Sequence, residues 1–158
     1  MTSLEERIYE LGAEALAEQE RLVVETRARG AAIIAAAVVI ASVLVGPAFQ
    51  HGHPTNAAEI VAGFTGLIGC AGVLLCVVLL LHPRSLAFGV SATAAYRSLW
   101  DRGVVEPPGT HIALAEAFEQ RHEDNRPTVE RLTRFLTLAL GSLVMETAGL
   151  ALAVAVGL

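Results

Sequence analysis

Three stretches of the chain run apolar for about the length that ~30 Å of hydrocarbon demands, near 20 residues each. The first, residues 30–49, contains no charge, and neither does the second, residues 60–81. The third, residues 135–158, contains one acid, Glu146. Core helices of soluble bundles rarely go this far without a charged face. The pattern therefore predicts an all-α integral membrane protein with three transmembrane helices and a small helical cytoplasmic module. The spans divide the chain into a lead-in helix over 1–29, an external loop over 50–59 and a cytoplasmic helical segment over 82–134.

Outside the spans the pattern is helical. Leu4, Ile8, Leu11, Ala15 and Leu22 recur at alternating steps of four and three, with Glu18 at the missing position. They form one stripe of a helix. Ser3 and Glu6 have the spacing of a capping box. Only Gly12 and Gly30 interrupt the helical sequence between residues 4 and 46, so one rod running into the first span is expected. Its stripe packs either on the protomer's own helices or, as a coiled coil, on another subunit. Pro83 closes the second span. Residues 90–102 suit a short helix with Tyr96 and Trp100 at i,i+4, and 103–109, with Pro107-Pro108, a loop. Thr110 to Glu123 is again helical, with Ile112, Ala115 and Phe118 on one stripe. Asn125-Arg126-Pro127 is expected to interrupt it, with Pro127 opening the last rod.

Composition agrees with the spans. Of 158 residues, 54% are apolar and 17% charged, against roughly 25% charged in soluble domains. Mean hydropathy is +0.56. The 11 basic residues are all arginine. Arg7, Arg21, Arg27 and Arg29 precede the first span; Arg84, Arg97, Arg102, Arg121, Arg126, Arg131 and Arg134 lie between the second and third. The 50–59 loop has none. By the positive-inside rule the N-terminus and 82–134 are cytoplasmic, and the loop and C-terminus external. A lead of 29 residues rich in Glu and Arg argues against a cleaved signal peptide. A net charge of −5 argues against nucleic acid as a partner. Cys70 and Cys76 sit in an apolar run and suit neither a disulfide framework nor a zinc site.

Candidate chemistry is sparse. Glu146 lies near mid-span, where an acid costs about 2.5–3.5 kcal/mol. Such groups face a bundle interior, a cavity or another subunit. Ser142 is one turn earlier on its face, and Ser42 of the first span is a possible polar partner. Glu146 then either hydrogen-bonds a neighbouring helix in its neutral form or serves as a gating, pore-lining or proton-relay group. Gly141, Gly149, Ala153 and Gly157 follow a four-residue period, with Met145 in the gap. Gly63, Gly66, Gly69 and Gly72 follow a period of three. Small faces of this kind pack helices within one protomer or between protomers. Three helices cannot enclose a wide pore, so pore formation would require a homo-oligomer. His51 and His53 lack further metal ligands. No phosphate-binding glycine loop, HExxH, nucleophile elbow or CxxC is present. An enzyme is not expected, and neither is a cofactor or metal.

The layout resembles the Pycsar transmembrane effectors, small bacterial membrane proteins of anti-phage defence. The similarity covers nearly the whole chain. Glu25-Thr26-Arg27-Ala28 stands where the family has an Asp-x-Lys-Ala-like element entering the first span. Leu81-His82-Pro83-Arg84 stands for its aliphatic-Pro-Arg element, and Asn125 for an Asn before the third span. The first element carries Glu for Asp and Arg for Lys. The resemblance implies a non-enzymatic effector that senses a cyclic pyrimidine mononucleotide, cyclic CMP or cyclic UMP, and impairs the inner membrane, causing abortive infection. It points to Glu25, Arg27 and Asn125 as sensing residues. Arg84, Arg97, Trp100 and Arg121 are of the right types to hold a nucleotide, since guanidinium forks suit phosphate and aromatic rings stack on bases. A structural or accessory subunit of a larger membrane complex, or an ion- or proton-coupled transport subunit centred on Glu146, are the competing readings.

Overall fold

A computed structural model describes residues 4–49, 57–82, 86, 88, 97, 99–101, 103 and 107–157. Of the 50–59 segment expected to be an external loop, residues 50–56, with His51 and His53, lie outside the described residues, as do Ser3, Pro83, Arg84, Tyr96 and Arg102, and 57–59 belong to a helix rather than a loop. Three long helices follow in order: α1, Leu4–Phe49; α2, Ala57–Leu81; and α3, Pro107–Gly157. All three are long and apolar enough to cross a membrane, and only 17–28% of their most apolar windows is buried. The chain is thus all-α, with its apolar surface turned outward.

At two places α3 is more continuous than the sequence pattern suggests. The helix starts at Pro107, where a loop was expected. Proline is at home in a first helical turn, because its missing N–H would lack an intrahelical acceptor there anyway. Asn125-Arg126-Pro127 does not interrupt α3 either, and Pro127 lies inside a continuous helix. An interior proline costs about 3 kcal/mol. Here Ala115 and Asn125 are buried before it and Leu132 just after it, so packing on both sides opposes a break.

The chain forms two compact units, to each of which α1 and α3 contribute: Met1–Val24 with Arg84–Arg131, and Glu25–Pro83 with Leu132–Leu158. In the first unit α1 lies parallel to α3. Tyr9 stacks on His111, with ring centroids 5.6 Å apart, and also meets Phe118 at 5.5 Å. Gly12 lies against Phe118, and further along, Gln19 donates from Nε2 to the His122 carbonyl at 3.2 Å. The buried stripe of α1 here is Leu16, Gln19 and Val23. The expected stripe is one residue out of phase. Leu4, Ile8, Leu11 and Leu22 are exposed, as is Ala15. The aliphatic pattern was a poor guide because the core of this pair uses a tyrosine ring, the flat surface at Gly12 and a glutamine. On α3, the stripe of Ile112, Ala115 and Phe118 is divided: Ala115 is buried, Phe118 half-buried and Ile112 exposed.

Upstream of α3, Arg97 and residues 99–101 are helical. The turn closes at Gly103, whose φ of +67° suits glycine. Its N–H donates to the Trp100 carbonyl at 3.0 Å.

In the second unit α2 runs antiparallel to α3. A side chain at Gly66 would meet Leu150, at Gly69 the Glu146 backbone, and at Gly72 Ser142. The third helix joins at Gly30, where a Cβ would come within 2.9 Å of Leu80. Ile33 and Ala37 of α1, Val73 and Val77 of α2 and Ala139 of α3 share one core. Ala62 and Ala153 form another. Gly12 and Gly30 therefore leave α1 unbroken because each admits a partner side chain, which offsets their low helix propensity.

Candidate functional sites

The first site is the seam between α2 and α3. Glu146 is fully buried, because three glycines on the facing stretch of α2 let the two backbones approach. Gly69 lies opposite the Glu146 backbone, and a Cβ on Gly72 would sit 2.7 Å from the Ser142 hydroxyl oxygen. Ser142 and Glu146 thus share the face that meets α2. Neither carboxyl oxygen of Glu146 has a hydrogen-bond partner among the described residues. A buried acid without a bond or counter-charge is tolerable only in neutral form, because low-polarity surroundings solvate a charge poorly. Glu59, in the first turn of α2, is also buried. Both acids lie in an otherwise aliphatic interior, while many further aliphatic side chains face outward.

Ser42 does not join this seam. It is exposed, and its hydroxyl donates to the Val39 carbonyl of its own helix at 2.8 Å. The α1 residues that enter the core are Ile33 and Ala37, which leaves Ser42 off the buried stripe.

The small residues divide between two environments. Gly63, Gly66 and Gly69 are buried on α2. Gly149 lies against Gly66 and Ala62, and Ala153 is buried beside Ala62. These faces therefore pack helices within one protomer. Gly141 is the exception: it is exposed, and a Cβ there would meet nothing within 4 Å. Its place in the four-residue period is not a packing position, since the stripe that meets α2 advances through Ser142, Glu146 and Gly149. The surroundings of Gly157 lie outside the described residues.

The second site is in the first unit, where two grooves lie between α1 and α3. One, of about 420 Å³, is lined by Ile8, Leu11, Ala15, Ile112 and Phe118, with Glu116 and Glu119 among its polar residues. The other, of about 430 Å³, is lined by Ala15, Leu22 and Val129, by Gln19 and His122, and by the charged Glu18, Arg126 and Glu130. Gln19 is buried. Its Oε1 and the Nδ1 of His122 are both buried without a partner. Sequence reasoning missed Gln19 and His122. The signal was the shifted stripe, since Gln19 falls between Leu16 and Val23 at helical spacing.

Among the described residues, those expected to hold a nucleotide do not line either groove. Glu25 accepts from Arg29 at 2.6 Å in an exposed i,i+4 pair. Arg27 is half-buried, with a buried Nε that has no hydrogen-bond partner. Both belong to the second unit, whereas Arg97, Trp100, Arg121 and Asn125 belong to the first. Within the first, Arg97, Trp100 and Arg121 are exposed and Asn125 is buried. Arg84 lies outside the described residues. No group of three or more metal-ligating side chains occurs among the described residues. Compared with known proteins, the chain matches no family model, no curated protein and no solved structure.

Proposed function

We propose that this multi-pass helical membrane protein is an effector of the Pycsar transmembrane type. It receives a cyclic pyrimidine mononucleotide on a cytoplasmic helical unit and impairs the inner membrane, producing abortive infection. The observation that carries this reading is that α1 and α3 each supply two units of opposite character. One unit holds a groove lined in part by Gln19 and His122, each of which buries a polar atom without a partner; the other carries an outward apolar surface and a buried, unpartnered acid. A ligand that orders the first unit binds the very helices that build the second. The one-sided arginines support a cytoplasmic N-terminus and an external C-terminus. No chemistry on the ligand is needed, and the chain acts without catalysis.

The test is reconstitution into dye-loaded vesicles of bacterial lipid. Addition of cyclic CMP or cyclic UMP should release dye, and cyclic AMP should not. Vesicles that stay sealed with every nucleotide would sink the effector reading.

The exposed stripe of Leu4, Ile8, Leu11 and Leu22 favours a second reading, an accessory subunit whose lead-in helix docks on another membrane protein. Co-purification of a stoichiometric partner, with no response to nucleotide, would select it.

A further inference from the structure

We propose that the rim of the second unit at which α2 ends binds the phosphate of an anionic phospholipid headgroup, with the Arg27 guanidinium as its main contact. Arg27 precedes the buried Gly30 by three residues, a spacing that sets it beside the packed face of α1. The residue is accordingly half-buried, and its Nε is closed off without a hydrogen-bond partner. No ion pair among the described residues includes Arg27, whereas the neighbouring Arg29 is matched by Glu25 at 2.6 Å. A guanidinium held partly inside protein is costly without a counter-charge. The anion has to come from outside the chain.

Depth decides its source. One turn beyond Arg27, Gly30 meets Leu80, the next-to-last residue of α2. Farther in, Ile33 and Ala37 share a core with Val73, Val77 and Ala139. At 1.5 Å of rise per residue, Arg27 lies about 9 Å before Ile33, and Arg134 of α3 about 7.5 Å before Ala139. Both arginines therefore reach the same rim, where the His82 N–H closes the last turn of α2 on the Val78 carbonyl at 2.9 Å. Arg134 is exposed, and no ion pair among the described residues includes it either. Carboxylates are scarce at this depth. Within the unit the acids are Glu25, already held by Arg29, Glu59 at the opposite end of α2, and Glu146 deep in α3.

Uncompensated positive charge thus borders an outward apolar surface, the level at which a bilayer presents its phosphates. Arginine suits that place. Its stem can lie on apolar surface while the head reaches the interface, and its fork takes two phosphate oxygens at once. A phosphatidylglycerol headgroup carries a net negative charge that phosphatidylcholine lacks, so the rim prefers the former. That this rim is cytoplasmic rests on the arginine distribution; the demand for an anion does not, and neither depends on a nucleotide.

The test is native mass spectrometry of the full chain, released from detergent holding equal amounts of phosphatidylglycerol and phosphatidylcholine. The wild type should retain the anionic lipid in preference, by about fivefold, the factor that one arginine near a charged membrane surface supplies. Arg27→Gln should bring the two lipids close to parity. Arg27→Lys, which keeps the charge without the fork, should lose part of the preference and decides the matter if the Gln variant does not fold. Arg29→Gln, at an exposed and already paired position, should change nothing. Equal retention of both lipids by the wild type, or a preference unchanged in every folded Arg27 variant, overturns the site. Displacement of phosphatidylglycerol by millimolar inorganic phosphate would assign the rim to a soluble anion and overturn the lipid.

Discussion

Gly69 of α2 lies so close to the backbone of Glu146 on α3 that a single added methyl group at Gly69 would overlap it. Flexible side chains can turn away from a clash of this kind, but main chain cannot. Gly69→Leu should therefore separate α2 from α3 and destabilise the folded protein by at least ~1–3 kcal/mol, the usual range for overpacking. Gly141→Ala is the matched control. Its new Cβ enters open space, and stability should change by no more than ~1 kcal/mol, towards stabilisation. Unfolding in mixed micelles followed by circular dichroism reads both. Equal effects of the two changes would contradict this assignment of faces.

What the sequence revealed and what it hid have separate physical causes. The three apolar helices were legible because an uncharged run of span length has few alternative fates. Burial of Glu146 followed from the cost of an acid in hydrocarbon. The phase of α1 was not legible: Leu4, Ile8, Leu11 and Leu22 make the stronger aliphatic stripe, yet Leu16, Gln19 and Val23 are buried. Hydrophobicity alone does not register that Gly12 permits close approach or that Gln19 can enter a core by bonding a carbonyl. The same uncertainty of phase made Ser42 a plausible partner for Glu146, although the structure leaves it exposed. Gln19 and His122 stayed hidden because they carry no motif, and their proximity depends on the register between two helices far apart in sequence.

Pro127 inside α3 removes one backbone hydrogen bond and exposes its ring. Pro127→Ala restores the bond and loses no buried contact. Thermal unfolding should shift upward, by an amount that corresponds to as much as ~3 kcal/mol. A lower melting temperature would show that the helix needs a bend at this position to pack.

Leu4, Ile8, Leu11 and Leu22 form an exposed aliphatic stripe on the first unit. Isolated apolar side chains on a surface need no explanation, but a stripe at coiled-coil spacing is a candidate contact between helices. Ile8→Glu combined with Leu11→Glu should leave helix content unchanged and reduce self-association, as measured by analytical ultracentrifugation in detergent. An unchanged distribution of species would assign the stripe to a different partner.

The arginine distribution predicts that Leu158 is external. Alkaline phosphatase joined after Leu158 should be active in cells, and a fluorescent protein that matures only in the cytoplasm should be dark there. The opposite pair of results would invert the topology.

Glu146 separates a structural acid from a working one. Neither of its oxygens is hydrogen-bonded among the described residues, so within these the carboxyl makes no bond between helices. Its burial is then a cost, since an unsatisfied polar group typically costs ~1–3 kcal/mol. Leucine has similar volume and no polar atom, so Glu146→Leu should keep the fold and stabilise it by about that amount. The same change should abolish membrane permeabilisation if the acid has to meet water when α2 and α3 part. Glu146→Gln refines the comparison, because the amide is nearly isosteric with the neutral acid yet never ionises. If ionisation drives opening, Gln assembles like wild type and releases no dye from vesicles. If polarity alone suffices, Gln releases dye and Leu does not. A Leu variant that is both more stable and fully active would show that the acid has no role in function.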